Sequence, residues 1–371
     1  MSSSARIGWL DVAKALGIFL VFYGHLLEAM YRYGGRPFLF PQLKFIYAFH
    51  MPLFFVLSGY LYRDRGESFG RFFRYHFLTR LLPFFFFNLL SLSALLVQQT
   101  GRGGVDWPVV LQDCLALLRG VPSFNMLTWF LACLFMVEFI HFGAKRWLKT
   151  STRLLMGVFL ALAIGLPVAR WAAQGLAVSG VYFNIWYVQE ALTAYGFYLM
   201  GVWARSVFAT GRNVINKRVW LLMLGLLLFV ATWVTAGWNL GPFATNPGLV
   251  LMSISSHGSF LWFPITAVTG TLFLIFLAKL VPTNLVLTYF GQKTLILLGM
   301  GGLFFEFFNQ PLIAITNPFF PASPLVTTGQ AILLTLLSFA ICVPFVYVFE
   351  KYFPQLVGRP TQSGPILPRL M

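Results

Sequence analysis

Four ionisable side chains interrupt an otherwise apolar stretch, WLDVAKALGIFLVFYGHLLEAMY, residues 9–31: Asp11, Lys14, His25 and Glu28. A helix turns about 100° and rises about 1.5 Å per residue, so all four fall within roughly 100° of arc, which is one face. A charged group at mid-bilayer costs on the order of 3 kcal/mol even on a lenient scale. Four on one face are tolerable when they point into a protein-lined, hydrated slot, and function is the default reading of such residues. An imidazole inside an apolar span suits proton transfer. Glu28, one turn outward, can orient that ring and stabilise its charged form. Lys14, about 16 Å from His25 along the axis, can hold a phosphate. A plainer reading stands beside this one. Asp11 and Lys14 are three apart and can simply pair near the membrane surface, and Glu28 can sit solvated in the interface.

A second histidine falls in FHMPLFFVLSGYLY, residues 49–62. If this helix runs back antiparallel to the first, His50 and His25 both lie roughly 9–12 Å below the same surface. His50 is then a proton carrier or a donor to an oxyanion. The alternative is a structural histidine that braces a kink at Pro52. At the opposite membrane face, RDRGESFGRFFRYHFLTRLLP (residues 63–83) gathers arginines, of which Arg71, Arg74 and Arg80 suit a phosphate cradle. Arg80, at the membrane edge, is the strongest candidate. A bias of basic residues toward the cytoplasm, or anionic lipid headgroups, accounts for the same residues without chemistry. His76, His141 and His257 read as structural. The three cysteines are scattered, with no metal-ligand or disulfide spacing, so no metal is expected.

These residues need a frame. The chain is 58% hydrophobic, with 42 Phe and 10% charged residues, a balance that no soluble protein could cover with polar surface. Apolar segments recur at about 9–31, 42–62, 76–97, 126–144, 154–173, 184–204, 219–236, 257–279, 289–310 and 325–349. The expectation is an all-α polytopic membrane protein, about ten transmembrane helices in one bundle, residues 1–371 forming a single domain. The first run is read as a retained helix, since its length and Lys14 do not fit a cleaved leader. With the N-terminus in the cytoplasm, only Arg32, Arg36, Lys44, Arg102, Arg119 and Arg170 of the 26 basic residues face outward. The rest, Arg6, Arg212 and Lys217 among them, face inward, so both termini are placed in the cytoplasm. The same asymmetry explains the formal charge of +16 without nucleic acid. Gly299, Gly301 and Gly302, inside an apolar span, allow close helix packing or a local break.

The stretches RIGWLDVAKALGIFLVFYGH, FHMPLFFVLSGYLY, RLLPFF, NMLTWFLACLF (125–135), YGFYLMG (195–201) and FGQKTLILLG (290–299) resemble the membrane-bound acyltransferase family 3. The resemblance is nearest to the branch described as fucose 4-O-acetylase-like, and it covers most of the chain. It implies transfer of an acyl group, usually acetyl from acetyl-CoA, to a hydroxyl of a sugar in a surface glycan or another exported acceptor. It also implies an integral protein of a bacterial cytoplasmic (inner) membrane. The family carries a basic residue eleven positions before a histidine in its first helix, which here are Lys14 and His25. Many members have Arg at the first position, and Lys lacks the planar fork for a bidentate phosphate grip. Many also have His where this chain has Gly301, so any role of that histidine is absent here or served elsewhere.

The expected reaction follows. Cytoplasmic acyl-CoA reaches through the bundle, its phosphate end held by Lys14 and Arg80 with Arg71 and Arg74, Asp11 beside Lys14. His25 takes the proton of the sugar hydroxyl as it attacks the thioester, Glu28 orients the ring, and His50 or a backbone N–H meets the oxyanion. An acyl-His25 intermediate is an open variant. The expected partners are acyl-CoA, a carbohydrate or lipid-linked glycan, and membrane lipids. A transporter or flippase of a glycan or lipid, its path lined by the same Lys and His, is the competing reading.

Overall fold

Runs of twenty or so apolar residues have one stable form in lipid, the helix, because only it satisfies every backbone N–H and C=O internally. The computed structural model describes residues 7–179, 184–208, 218–245 and 248–371; Arg6, Arg212 and Lys217 lie outside them. In order, the helices are α1 (Gly8–Tyr33), α2 (Phe40–Tyr47), α3 (His50–Leu61), α4 (Phe69–His76), α5 (Leu82–Gly101), α6 (Trp107–Leu118), α7 (Trp129–Ala144) and α8 (Ser151–Ser179). Then come α9 (Val188–Phe208), α10 (Arg218–Trp238), α11 (Trp262–Leu280), α12 (Leu285–Gln292), α13 (Thr294–Leu303), α14 (Asn309–Thr316) and α15 (Pro324–Tyr352). Two π-helical turns, Phe77–Leu81 and Phe304–Phe308, join α4 to α5 and α13 to α14.

Among the described residues, nine stretches are long and apolar enough to cross a membrane, and the chain is an all-helical, polytopic membrane bundle. The expected span 184–204, sixth of the ten, forms α9, which is long enough at 21 residues but is not one of the nine. It buries Glu190, Thr193, Tyr195 and Tyr198 among its neighbours α3, α7 and α8. A helix surrounded by protein does not need a lipid-compatible surface. The expected span 289–310 is divided: α12 ends before Lys293, and the crossing stretch is Thr294–Phe319. Lys293 is drawn to Glu350 of α15, which also pairs with Arg359. The interval 98–125 between two of the expected spans contains α6, capped by the Asp106 carboxylate on the Val109 N–H.

Among the nine stretches, α1 and the stretch Pro37–Leu61 are the most covered, 72% of the apolar window in each, against 22% for α10. Helix α1 lies among α3, α11, α12, α13 and α15, whereas α8 and α10 are peripheral. Lipid gives helices little hydrophobic reason to associate, so contact rests on small residues that let backbones meet. A Cβ on Gly59 of α3 would collide with the Tyr198 carbonyl of α9, and one on Gly201 of α9 with the Val56 carbonyl of α3. Gly291 of α12 lies in the same way on the Asp11 carbonyl of α1. The three glycines of α13 also serve close packing: Gly299 faces the ring of Phe87, Gly301 faces Phe22, and Gly302 lies under Asn125.

Candidate active site

One helical turn separates His25 from Glu28 on α1, and the chain's return through α2 and α3 supplies the groups that organise them. Glu28 Oε2 lies 3.3 Å from His25 Nδ1. The Tyr47 hydroxyl, near the end of α2, donates to Glu28 Oε2 at 2.6 Å and lies 2.8 Å from His25 Nδ1. Arg32, one turn beyond Glu28, reaches its other oxygen at 2.9 Å. The His50 ring is 5.0 Å from that of Tyr47. So His25 and His50 flank one tyrosine, and Phe305 of the π-helical turn packs edge-on against His25 at 4.8 Å.

These contacts assign the protons. A carboxylate only accepts, so the single Tyr47 proton goes to Glu28, and the tyrosine oxygen is left to accept from His25 Nδ1–H. In the neutral ring Nε2 then carries the lone pair, which is the atom a general base uses. His50 is fixed by the same logic: its Nδ1 lies 3.0 Å from the Ile46 carbonyl, an acceptor, so Nδ1 carries the proton and the neutral ring offers a lone pair at Nε2. His50 can therefore donate to an oxyanion from Nε2 only as an imidazolium.

Lys14 and Asp11 form an ion pair at 3.1 Å, with the lysine side chain about one-fifth exposed. Between Lys14 and His25 the same face of α1 carries Ile18 and Val21. Both are buried in a core with Met51, Phe55 and Phe130. A chain laid along this face from Lys14 to His25 has to displace these side chains.

The three arginines have different surroundings. Arg80 faces inward and grips Glu138 of α7 with two parallel hydrogen bonds, Nη2 to Oε1 at 3.0 Å and Nε to Oε2 at 3.1 Å. His76 approaches the same carboxylate at 2.7 Å. Arg74 is exposed and donates to the Leu370 carbonyl at 2.7 Å, tying α4 to the end of the chain. Arg71 is exposed, 3.5 Å from Ser68 Oγ. Arg71 and Arg74 ride on α4, which lies against α7 through Phe72 and Phe142, whereas Lys14 is on α1, whose main neighbours are α12 and α11. Nearby, Lys145 at the end of α7 donates to Asp64 at 2.7 Å and holds that carboxyl below its usual range.

Tyr47, Arg32 and Glu138 are absent from the residues singled out by sequence. Glu138 had a signal: a carboxylate in the apolar run FMVEFIHF requires a partner. Arg32 stands four residues after Glu28, the spacing of a helical ion pair. Tyr47 had none, since only the fold of α2 against α1 brings its hydroxyl to Glu28. The motif NMLTW has an architectural explanation. Asn125 Nδ2 donates to the Gly299 carbonyl at 2.9 Å and to Ser91 Oγ at 3.0 Å, and its backbone N–H donates to Asn88 Oδ1 at 3.1 Å, which joins α5, α7 and α13.

Comparison with known proteins adds a family. A family model described as "Acyltransferase domain" matches residues 7–347. The chain is similar to nodulation protein NolL of Mesorhizobium japonicum, 29% identical over 248 residues, which is 65% of this chain and 59% of that protein. It is also similar to nodulation protein NolL of Sinorhizobium fredii, 50% identical over 52 residues, 14% of each chain. The matched stretches thus span less than two thirds of either relative. No solved structure matches the chain.

Proposed function

The chain belongs to the acyltransferase family whose model covers residues 7–347, and from that premise we propose that it moves an acyl group, acetyl in the first instance, from acyl-CoA to a sugar hydroxyl of an exported or surface glycan. The observation that carries this reading is the Glu28–Tyr47–His25 relay, which leaves a basic nitrogen at His25 Nε2. In the reaction, Nε2 takes the proton of the sugar hydroxyl as its oxygen attacks the thioester carbonyl. The C–S bond of the tetrahedral intermediate then breaks, and the thiolate leaves with the proton that His25 returns to it, giving free CoA and the sugar ester. Glu28, directly and through Tyr47, stabilises the imidazolium between these two transfers. His50 Nε2, the lone-pair atom of a buried neutral ring, accepts a hydrogen bond from the acceptor, which leaves a backbone N–H to meet the oxyanion.

At the other end of α1, Lys14 with Asp11, and Arg71 and Arg74 on α4, are the groups for the donor's phosphates, and Arg80 supports them through Glu138 and His76. The distribution of basic residues favours both termini in the cytoplasm, which puts the Lys14 end beside a cytoplasmic donor and the His25 end toward an outer acceptor, the arrangement the family resemblance implies for an inner membrane. Passage of the thioester then requires Ile18 and Val21 to move apart from Met51 and Phe55. The test is release of free thiol from acetyl-CoA by the reconstituted protein. Thiol should appear only when acceptor glycan is present, and His25→Ala should abolish it while the protein stays folded. A protein that moves glycan across vesicles without releasing thiol, or a fully active His25→Ala variant, would overturn the reading.

A further inference from the structure

On the side of α11 turned away from Phe49 and His50, α8 and α11 stand apart with α9 between them, leaving a groove of about 620 Å³. Phe159, Leu162, Met200, Ile265 and Val268 line it. Its volume lies in the range of about 300–1,000 Å³ that accepts a drug-sized molecule or a lipid chain. One end of the groove is marked chemically. Phe260 lines that end, and the guanidinium of Arg170 lies over its ring, 5.1 Å from the centroid. Trp171 beside Arg170 is 72% exposed, and the rings of Trp238 and Trp262 pack, tilted, at 4.7 Å where α10 ends and α11 begins. Tryptophans are enriched at the boundary between hydrocarbon and headgroups. The groove therefore starts at the headgroup level beside a cation and continues inward as an apolar trough.

Arg170 is also one of the few basic residues on the side that the charge distribution leaves poor in them, so the general bias of basic residues does not account for it. An arginine forks onto a phosphate, and stacking on Phe260 holds its plane in place. We propose that this groove is a binding site for an anionic phospholipid, with one acyl chain between α8 and α11 and the phosphate on Arg170. The site is one helix away from the chemistry. The opposite face of α11 sets Gly270 under Phe49, the neighbour of His50, so a bound lipid braces the outer side of the wall behind that histidine.

The test is native mass spectrometry of the full chain released from detergent with phosphatidylglycerol or phosphatidylcholine of identical acyl chains. Wild type should retain one phosphatidylglycerol about fivefold more tightly than phosphatidylcholine, the scale of one arginine acting on an anionic headgroup. Arg170→Gln should erase that preference while leaving the weaker chain-dependent binding. Ala163→Trp, which fills the trough from its exposed wall, should reduce retention of both lipids. Equal retention of the two lipids by wild type, or a preference that survives Arg170→Gln, would overturn the site. Arg170→Gln is an exposed substitution and keeps the test decisive if Ala163→Trp fails to fold.

Discussion

His25 has a direction as well as a position. Its Nδ1 proton points to Tyr47 and Glu28, and only this arrangement leaves Nε2 basic. Loss of a general base lowers turnover by about 10²–10⁴-fold. His25→Ala should therefore collapse kcat in the thiol-release assay with little change in either KM. Tyr47→Phe is the finer probe, because it removes the hydroxyl and leaves the direct His25–Glu28 contact at 3.3 Å. One hydrogen bond contributes about 0.5–1.5 kcal/mol, so kcat should fall by roughly three- to tenfold with the fold intact. A Tyr47→Phe enzyme with unchanged kcat would remove the tyrosine from the relay.

At the scale of elements, α4, the π-helical turn after it and α7 are joined through one carboxylate. Glu138 accepts from Arg80 and His76 inside an apolar span, so neither arginine nor carboxylate faces hydrocarbon alone. Breaking a buried pair from one side costs about 3–5 kcal/mol, while apolar replacement of both partners is often close to neutral. Glu138→Leu alone should lower the thermal midpoint sharply, and Glu138→Leu with Arg80→Leu should recover most of it. Equal losses in the single and double variants would show that the pair does not act as a unit. Near the end of α7 the sign of a pH effect follows from Asp64. The Lys145 ammonium depresses its folded pKa, so its contribution is present above the unfolded value of about 3.9 and fades as pH falls through the folded value. Asp64→Asn should be less stable than wild type at neutral pH, and the two thermal midpoints should converge as the pH drops below about 3.9. A gap that persists at low pH would assign the effect to something other than the carboxylate charge.

For the whole molecule, the two ends of α1 do different things, and the bundle separates them with packed side chains. The His25 end gathers Tyr47, Glu28, Arg32 and His50; the Lys14 end holds an ion pair with Asp11. If the Lys14 end serves the donor, Lys14→Ala should raise the KM for acyl-CoA more than the KM for acceptor in steady-state assays with each substrate varied. A rise confined to the acceptor would contradict that division.

Class was legible in the chain alone. Hydropathy and the positions of charges are properties of a one-dimensional string, and they sufficed for an all-helical membrane bundle. The span 184–204 shows the limit: α9 looks like a membrane helix by length, yet its polar residues are accommodated because protein surrounds it, which only packing decides. Partners across helices were likewise invisible. Nothing local ties Tyr47 to Glu28, Arg80 to Glu138 or Arg359 to Glu350, because each pair joins groups on different elements; that the Tyr47 ring can lie on α1 depends on Gly24, where a Cβ would press on it. A sequence records which charges must be neutralised in lipid; the tertiary structure decides which group neutralises each, and thereby where the proton sits on His25.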